Sequence, residues 1–576
     1  MITSYTFSHL KKNLKKDFSS LRRLKVALLG DTATQFLVTA IRGLGFERGF
    51  DLDIWEADFN QIERQVYDPT SELYHFEPQI IIVFQSTHKL LTKYGKLKPQ
   101  LYESLANTEM DNIGNLIGNI NSKLQAKIIY YNYPEINDSV FGNYASKTPA
   151  SFLFQLRKLS YLLMEYASKT PGFFICDIAD IQNQVGKENM FKPSIYINTE
   201  MVLNMDVLPA VAAKTVDIIA AINGQFKKCL ILDLDNTVWG GIIGDDGLEN
   251  IAIGTLGIGK AFTEFQYWAK KLKNRGVILA VCSKNTENIA KEPFEKHPDM
   301  VLHLDDIAVF VANWENKVDN IRHIQRVLNI GFDSMVFLDD NPFERNMVRE
   351  AIPELTVPEL PVDPAEYLEY LYPLNLFETA SFSEADAERT QQYQLAATRQ
   401  AVMNEFKNEE EFLKSLEMVS LVEPFNKFNT PRVAQLSQRS NQFNLRTVRY
   451  TEQDIELINK ADDYFTFTFT LEDKFGDNGL ICIIVLKVLS LSTLFIETWL
   501  MSCRVLKRGM EEFVLNTITD FAKKEGYQYL KGEYLPTAKN EMVRHHYKNL
   551  GFKEDNGYFL LEVEKYQNKT CYISAK

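Results

Sequence analysis

Two aspartates close a short apolar stretch of the chain. The run from Cys229 to Leu232 predicts a buried strand, Asp233 and Asp235 follow it, and Thr237 comes two residues later. Side chains alternate along a strand, so both acids are expected to point the same way at its end. One carboxylate can then attack phosphorus while the other handles the proton of the leaving group. A lone Asp-x-Asp is also found in ordinary strand-terminal turns, so further motifs must decide.

Three further groups of residues follow in the order that phosphoryl transfer needs. They lie beyond later predicted strands or helices: Ser283, Lys284 and Asn285; then Lys317; then Asp339 and Asp340. A hydroxyl and backbone donors can hold phosphoryl oxygens, and a lysine can neutralise developing charge. The terminal carboxylates can complete a site for a hard cation such as Mg²⁺. This order favours a phosphoryl-transfer site over a structural turn.

The ordered set resembles the haloacid dehalogenase (HAD) superfamily, whose first motif is Asp-x-Asp-x-Thr. The resemblance implies that Asp233 is the nucleophile and forms an aspartyl-phosphate. Asp235 would be the general acid and base, and its backbone carbonyl would also meet the metal. The residues implied to bind the substrate or its phosphoryl group are Thr237, Ser283, Lys284, Asn285 and Lys317. The residues implied to hold Mg²⁺ are Asp233, Asp235, Asp339 and Asp340.

Three longer stretches resemble the FkbH-like branch of that superfamily: 233–247, 281–285 and 337–345. This resemblance covers most of the chain. It implies dephosphorylation of 1,3-bisphosphoglycerate, with transfer of the glyceryl group to the phosphopantetheine thiol of an acyl carrier protein. Gly240 and Gly241 stand where many relatives insert a lid, which favours a small, open cap over the site, although a plain flexible turn is the competing interpretation.

Two thiols are candidates to hold an acyl group in transit. Cys282 directly precedes Ser283, although strand alternation could turn its side chain into the core. Cys503 has cationic neighbours that favour the thiolate. The sequence leaves the choice between them open.

The elements that must position these residues follow from length and pattern. At about 150 residues per domain, 576 residues predict three to four domains. Short apolar runs alternate with amphipathic stretches through the first two-thirds, which predicts an α/β fold with parallel sheets covered by helices. The predicted strands are 26–29, 80–84, 128–131, 173–175, 230–234, 277–281 and 335–338. We predict an α/β domain at 1–225, a HAD Rossmannoid domain at 226–370 and a C-terminal α+β domain at 371–576.

The first predicted strand is followed by Gly30, Asp31 and Thr32. The 1–225 segment resembles the SGNH hydrolases, a fold with a parallel sheet whose first block is Gly-Asp-Ser. Thr32 stands at the nucleophile position, and no Asp-x-x-His lies near the end of this segment, so a catalytic triad is incomplete. We therefore expect a docking or substrate-shaping module in which Thr32 caps a turn or helix.

The C-terminal third changes pattern. Alternating Phe465, Phe467 and Phe469, with a turn at 476–479, predict an antiparallel hairpin, and a helix is predicted from Met510. The loop at 502–509 and the segment 540–552 resemble GNAT acyltransferases. We predict that the amino end of the helix, aided by nearby cations, binds the phosphate of phosphopantetheine. These cations are Arg504, Lys507 and Arg508, and the competing interpretation is a solvated basic loop.

The composition excludes several classes of function. Apolar residues make up 45% and charged residues 24%, which is typical of a globular protein. The net charge of −13 disfavours binding to nucleic acid or to an anionic membrane. Six scattered cysteines without a CxxC pair suggest neither a zinc site nor a disulfide framework. We expect a cytoplasmic protein with a carrier protein and a small phosphorylated three-carbon substrate as partners.

Three hypotheses result. The leading one is a Mg²⁺-dependent phosphatase and glyceryl transferase that loads an acyl carrier protein. Its rival is a standalone phosphatase of a small phosphometabolite with a GNAT N-acyltransferase domain. The third is a non-enzymatic scaffold with degenerate domains, which the complete set of HAD motifs disfavours.

Overall fold

The computed structural model describes residues 5–382, 389–403, 406, 408–537 and 539–576. The chain forms two compact units that divide between Ile222 and Asn223. The predicted boundary at 225/226 lies close to this division. The second unit contains both the predicted phosphatase part and the C-terminal part, so the predicted boundary at 370/371 lies inside one compact unit.

The first unit contains a five-stranded parallel sheet with the order β2-β1-β3-β4-β5. Its strands are β1 (Arg22–Gly30), β2 (Phe50–Glu56), β3 (Ile80–Phe84), β4 (Lys127–Tyr131) and β5 (Phe173–Cys176). Its helices are α1 (Phe7–Asn13), α2 (Gln35–Glu47), α3 (Ile62–Tyr67), α4 (Glu72–Phe76), α5 (Thr87–Lys96), α6 (Leu105–Lys123), α7 (Phe152–Lys169), α8 (Ile178–Val185), α9 (Lys187–Met190), α10 (Pro193–Thr199) and α11 (Leu208–Ile222).

The central strands of this sheet are continuous apolar runs. Every residue of β3 is buried, because helices cover both faces of a parallel sheet. The strand order reverses between β1 and β3, which lie side by side. In open α/β sheets, such a reversal leaves a crevice beyond the carboxyl ends of the two strands.

The second unit begins with a four-stranded parallel sheet of order β8-β7-β6-β9. Its strands are β6 (Cys229–Leu232), β7 (Ile278–Ser283), β8 (Ile307–Ala312) and β9 (Met335–Leu338). Its helices are α12 (Ile243–Asp246), α13 (Gly257–Asn274), α14 (Glu287–Lys296), α15 (Lys317–Leu328), α16 (Pro342–Ala351) and α17 (Tyr367–Leu371).

Strand β6 separates two apolar cores. Leu230 and Leu232 pack into one core, while Cys229 and Ile231 pack into the other. Because the residues of β6 alternate between two apolar cores, the strand is an apolar run in the sequence. This run ends directly before Asp233. The catalytic candidates therefore start at the carboxyl edge of a fully buried strand.

Within the part of the second unit that the structure describes, the remaining strands form a nine-stranded, mostly antiparallel sheet, in which the β14–β15 and β10–β18 pairs are parallel. Its strands are β10 (Met418–Ser420), β11 (Val422–Glu423), β12 (Tyr464–Asp473), β13 (Gly476–Ser490), β14 (Thr493–Met501), β15 (Tyr529–Glu533), β16 (Lys553–Asp555), β17 (Tyr558–Glu562) and β18 (Ile573–Ala575). The helices are α18 (Arg389–Met403), α19 (Glu409–Ser415), α20 (Thr430–Arg439), α21 (Glu452–Lys460), α22 (Met510–Lys524) and α23 (His546–Leu550).

The predicted hairpin and the helix from Met510 are both present. The hairpin turn, however, lies at 474–475, before the predicted 476–479, because Gly476 already pairs with Asp473. The general α/β class with parallel sheets is confirmed, while the SGNH-like and GNAT-like folds stay predictions. Among the described residues, no helix combines the length and apolar character needed to span a membrane.

Candidate active site

Three carboxylates meet at the carboxyl edge of the four-stranded sheet. Asp233 follows β6, and its backbone N–H donates to the Leu338 carbonyl at the end of β9 (3.0 Å). Asp339 and Asp340 follow β9 directly. The carboxylates of Asp233, Asp339 and Asp340 each present an oxygen within 4.8 Å of the others. The tertiary fold thus joins acids that are about a hundred residues apart in the chain.

A buried lysine connects two of these acids. Lys317 is the first residue of α15, and only 3% of it is exposed. Its Nζ lies 2.9 Å from Asp233 Oδ2 and 2.6 Å from Asp339 Oδ2. Burial opposes the charged form, but the two carboxylates outweigh this cost and raise the pKa of Lys317. The ammonium therefore persists at neutral pH and neutralises part of the acid cluster.

The remaining negative charge in the cluster is poorly compensated. Burial, followed by the charge of Asp233, raises the pKa of Asp339 to about 7 and that of Asp340 to about 6. A divalent cation would relieve this repulsion, and hard carboxylate oxygens are the ligands that Mg²⁺ prefers. The three acids therefore fit a magnesium ion.

The Asp235 carboxylate has different partners. Its Oδ1 accepts from the Trp239 indole N–H (2.9 Å) and the Ile243 backbone N–H (3.0 Å). Its Oδ2 accepts from the Asn285 side-chain amide (3.2 Å). Burial raises the pKa of Asp235, which suits a group that must carry a proton. The Asp235 carboxylate does not belong to the cluster of three acids, so any metal contact would have to come from the predicted backbone carbonyl.

Other predicted substrate ligands are engaged by the protein itself. Thr237 is fully buried, and its hydroxyl accepts the Asp340 backbone N–H (3.1 Å), so its contact with substrate stays a prediction. Lys284 Nζ lies 2.6 Å from a buried carboxylate oxygen of Glu344. Ser283 ends β7 and is buried beside β6, the strand that leads to Asp233.

The thiol of Cys282 is unsuited to carry an acyl group. Its side chain is fully buried in an apolar core, and its Sγ contacts the Lys317 carbonyl at 3.8 Å. Burial raises the pKa of this thiol far above its ordinary value. The structure argues against Cys282 as a nucleophile, because alternation along β7 turns it into the core.

Two residues without a predicted role position the acids. Arg345 is buried, and its Nη1 donates to the carbonyls of Asp339 (2.8 Å) and Asp340 (2.6 Å). Its Nη2 also pairs with Glu359. Trp239, as described, donates to Asp235. Both residues lie inside the motif stretches, but only the tertiary contacts show what they hold.

The segment between β6 and α13 is compact. It contains the four-residue helix α12 and a β-bridge between Gly240 and Ala252. Gly241 has a φ of 90°, and an added Cβ would lie 2.5 Å from the Asp246 carboxylate, so this turn requires glycine. Among the described residues, no inserted lid domain occupies this stretch.

The predicted phosphate cradle in the C-terminal part is occupied by side chains of the chain itself. Arg508 lies 3.2 Å from the buried Asp473 carboxylate, and burial lowers the pKa of Arg508 to about 10. Arg504 hydrogen-bonds to Gln392 and Ser502. Both side chains are thus engaged within the chain, and their role toward a carrier protein stays a prediction.

The amino end of α22 also carries its own anion. The Glu511 carboxylate accepts the backbone N–H of Lys507, and burial raises its pKa. A phosphate would have to displace this carboxylate. Lys507 remains exposed at the loop. The Cys503 side chain lies outside the described residues, so its proposed role stays a prediction.

The first unit places Thr32 differently from the prediction. Thr32 is fully buried, and its hydroxyl has no hydrogen-bond partner among the described residues. Helix α2 begins after Thr34 instead, without a side-chain cap. Both Thr32 as a cap and Thr32 as a nucleophile are therefore unsupported by the geometry.

Comparisons with known proteins match most of the chain. Residues 25–220 match the family model of the FkbH N-terminal domain. The N-terminal part of the protein BF1531 from Bacteroides fragilis, described as containing a phosphatase domain complexed with Mg, is 62% identical. The match covers 66% of this chain and 100% of that chain, with a TM-score of 0.63. The chain belongs to the FkbH family. The prediction of an FkbH-like protein is thereby confirmed.

Two further structures are similar over about a quarter of this chain. The ribosomal-protein-S18-alanine N-acetyltransferase from Escherichia coli is 16% identical over 25% of this chain and 94% of its own, with a TM-score of 0.20. The spermidine N-acetyltransferase from Vibrio cholerae is 14% identical over 25% of this chain and 96% of its own, with a TM-score of 0.21. No curated protein matches the chain.

Proposed function

We propose that this FkbH-family chain is a Mg²⁺-dependent phosphatase of the HAD type. The observation that carries the proposal is the buried cluster of Asp233, Asp339 and Lys317, with Asp340 beside it. The Mg-bound phosphatase domain of the Bacteroides fragilis relative supports the same assignment.

The carboxylates of Asp233, Asp339 and Asp340 would hold the ion. When bound, Mg²⁺ would stabilise negative charge on the phosphoryl oxygens as a Lewis acid. The protein contributes a fixed, water-poor setting, since Asp233, Asp339 and Lys317 are all buried. Arg345 holds the loop that carries two of the three acids.

Asp233 provides the nucleophilic oxygen. Lys317 holds Asp233 Oδ2, which leaves Oδ1 for attack on phosphorus. A bond forms between Oδ1 and phosphorus as the bond from phosphorus to the leaving oxygen breaks. The product of this step is an aspartyl-phosphate, whose charge lies beside the Lys317 ammonium.

Asp235 moves the protons. In its protonated form it gives a proton to the leaving oxygen, and its raised pKa favours that form. As a carboxylate it then takes a proton from the water that attacks the aspartyl-phosphate. That attack breaks the bond to Asp233 and releases inorganic phosphate. Trp239 and Asn285 keep the carboxyl group oriented through both steps.

The finer proposal is glyceryl transfer from 1,3-bisphosphoglycerate to a carrier protein. The carrier's pantetheine sulfur would bond to the acyl carbon as the bond from that carbon to the phosphate oxygen breaks. Hydrolysis at Asp233 would remove the second phosphate, so two phosphates leave per glyceryl group. The resemblance to FkbH-like proteins supports this substrate. Cys503 remains a candidate for carrying the glyceryl group from the substrate to the sulfur of the carrier protein.

One mixture tests both levels of the proposal. The full chain is incubated with bisphosphoglycerate, Mg²⁺ and a phosphopantetheinylated carrier protein, and the carrier's intact mass and free phosphate are measured. A glyceryl adduct with two phosphates released supports transfer. Phosphate release without an adduct supports the standalone phosphatase. If neither phosphate nor an adduct forms, the phosphatase assignment is refuted. Asp233→Asn is expected to yield no glyceryl adduct.

We propose Lys507 as a docking cation for the carrier protein, which we expect to be acidic, since Arg504 and Arg508 are engaged internally. Lys507→Glu is expected to slow carrier loading without changing hydrolysis of a small phosphate ester. The defect should grow as salt is lowered, because like charges are then less screened. Lys524→Glu, at the other end of α22, is the matched control. Equal loading rates for the two variants at low salt would exclude this face.

A further inference from the structure

A polar cavity lies in the first unit, at the carboxyl edge of its sheet. Its volume is about 280 Å³. Asp31 follows β1, and Gln85 and Ser86 follow β3, and all three line the cavity. It therefore occupies the crevice where the strand order reverses, which is the usual ligand position in open α/β sheets. The phosphatase mechanism uses none of its residues.

One buried acceptor in this cavity has no partner. Asp31 Oδ2 accepts the Ser86 backbone N–H (2.8 Å). Asp31 Oδ1 is buried and has no hydrogen-bond partner among the described residues. A buried carboxylate oxygen without a donor is costly, and native structures rarely leave one unsatisfied. The Ser86 side chain also hydrogen-bonds the Asp31 carboxylate, so a donor to Oδ1 itself would have to come from a ligand in the cavity.

The wall beside Asp31 is fixed in advance. The Tyr130 hydroxyl donates to Gln85 Oε1 (2.6 Å) and lies 2.5 Å from the Tyr133 hydroxyl. This arrangement leaves the Gln85 amide nitrogen as a donor. A ligand would meet an acceptor and a donor on a preorganised wall, which lowers the entropy cost of binding.

The charges around the cavity select against ions. Lys89 pairs with Glu200, and Lys93 lies 2.5 Å from Glu109. Both lysines line the cavity and would repel a cation, while Asp31, Glu63 and Glu109 would repel an anion. A neutral molecule rich in hydroxyl groups fits this lining best.

We propose that this cavity binds a small polyhydroxylated molecule, a polyol or a monosaccharide, with one hydroxyl donating to Asp31 Oδ1. The volume suits a ligand of that size. No histidine is among the residues lining the cavity, and Thr32 is buried away from it, so the residues support binding rather than hydrolysis.

Saturation-transfer NMR on the full chain tests this site with glycerol, myo-inositol, D-ribose and D-glucose as probes. We expect saturable binding of at least one probe and a loss of about tenfold or more in Asp31→Asn. In that variant the amide oxygen takes the Ser86 N–H and the amide nitrogen faces the ligand, so the charge-assisted hydrogen bond from the ligand's hydroxyl to a carboxylate is lost. Asp58→Asn, an exposed acid that does not line the cavity, is the matched control.

Three results would overturn the proposal. The first is that none of the four probes binds the wild type. The second is that Asp31→Asn and the wild type bind a probe equally well. The third is that ethanolamine, a cation, binds more tightly than any of the probes. Phosphate release measured on the same samples separates this site from the phosphatase, because Asp31→Asn should leave that activity unchanged.

Discussion

Asp31 and Asp233 occupy equivalent places in two different parallel sheets. Each follows a buried strand, and each donates its backbone N–H to the last carbonyl of the neighbouring strand. The acceptor is the Phe84 carbonyl for Asp31 (3.1 Å) and the Leu338 carbonyl for Asp233 (3.0 Å). The backbone therefore presents both carboxylates at the same kind of edge.

The neighbours of the two acids differ. Beside Asp233, the adjacent strand ends in Asp339 and Asp340, and Lys317 contacts Asp233 directly. Beside Asp31, β3 is followed by the neutral residues Gln85 and Ser86. A strand-terminal aspartate thus becomes part of an ion site only where neighbouring strand ends supply further acids and a counter-charge. Without them it remains a single buried acceptor.

The largest expected effect distinguishes the two acids by activity. Asp233→Asn should lower phosphate release by about 10³-fold or more, because an amide cannot attack phosphorus. Asp31→Asn should leave the rate unchanged. Steady-state phosphate release measures both variants. Comparable losses in the two would show that the edge position, and not the cluster, sets activity.

The next effect distinguishes the acids by stability. Burial raises the pKa of Asp31 to about 6 from 3.8, which corresponds to about 3 kcal/mol at most. A raised carboxyl pKa means that wild-type stability falls as pH rises from about 4 through 6. Asp31→Asn cannot ionise, so it should be more stable above pH 6 and equal to wild type below pH 4. Urea unfolding at pH 4 and pH 8 measures this difference, and a variant less stable at pH 8 would contradict it.

A third effect tests how the acid cluster is held. Arg345 and Arg349 both pair with Glu359, but only Arg345 also holds the Asp339 and Asp340 carbonyls. Arg345→Lys should lower activity about 10- to 100-fold and raise the Mg²⁺ concentration needed. Arg349→Lys should change neither appreciably.

Phosphate release over a Mg²⁺ series, together with the Mg²⁺-dependent rise in melting temperature, checks the arginine pair. The temperature shift reports ion binding independently of turnover. Equal losses in the two variants would mean that Glu359, and not the loop carbonyls, is the partner that matters.

The smallest effect concerns the thiol nearest the cluster. Cys282→Ala should change phosphate release and carrier loading by less than about twofold, since the buried thiol contacts no reacting group. The removed sulfur leaves only a small core cavity. Carrier loading abolished in this variant, with normal phosphate release, would restore Cys282 as an acyl carrier.

Much of the fold was predictable from apolar runs. Strands β3 and β6 are buried throughout, and so are the stretches 26–30 of β1 and 128–131 of β4, so each appears as a short run of mostly apolar residues. Strand β2 escaped prediction because it lies at the sheet edge, where only Phe50 and Leu52 are fully buried. The hairpin turn was misplaced because local glycines do not reveal the pairing register.

The sequence by itself determined the identity of the acids in the HAD motifs and the strand that leads to them, since alternation and motif order are properties of the covalent chain. Only the tertiary structure decided which of these groups meet. It turned Asp235 toward Trp239, buried Cys282, engaged Arg508 with Asp473, and gave Arg345 a role. The physical reason is that burial and charge pairing depend on distant segments brought together in the fold, and a carboxylate, thiol or guanidinium takes its chemistry from those neighbours.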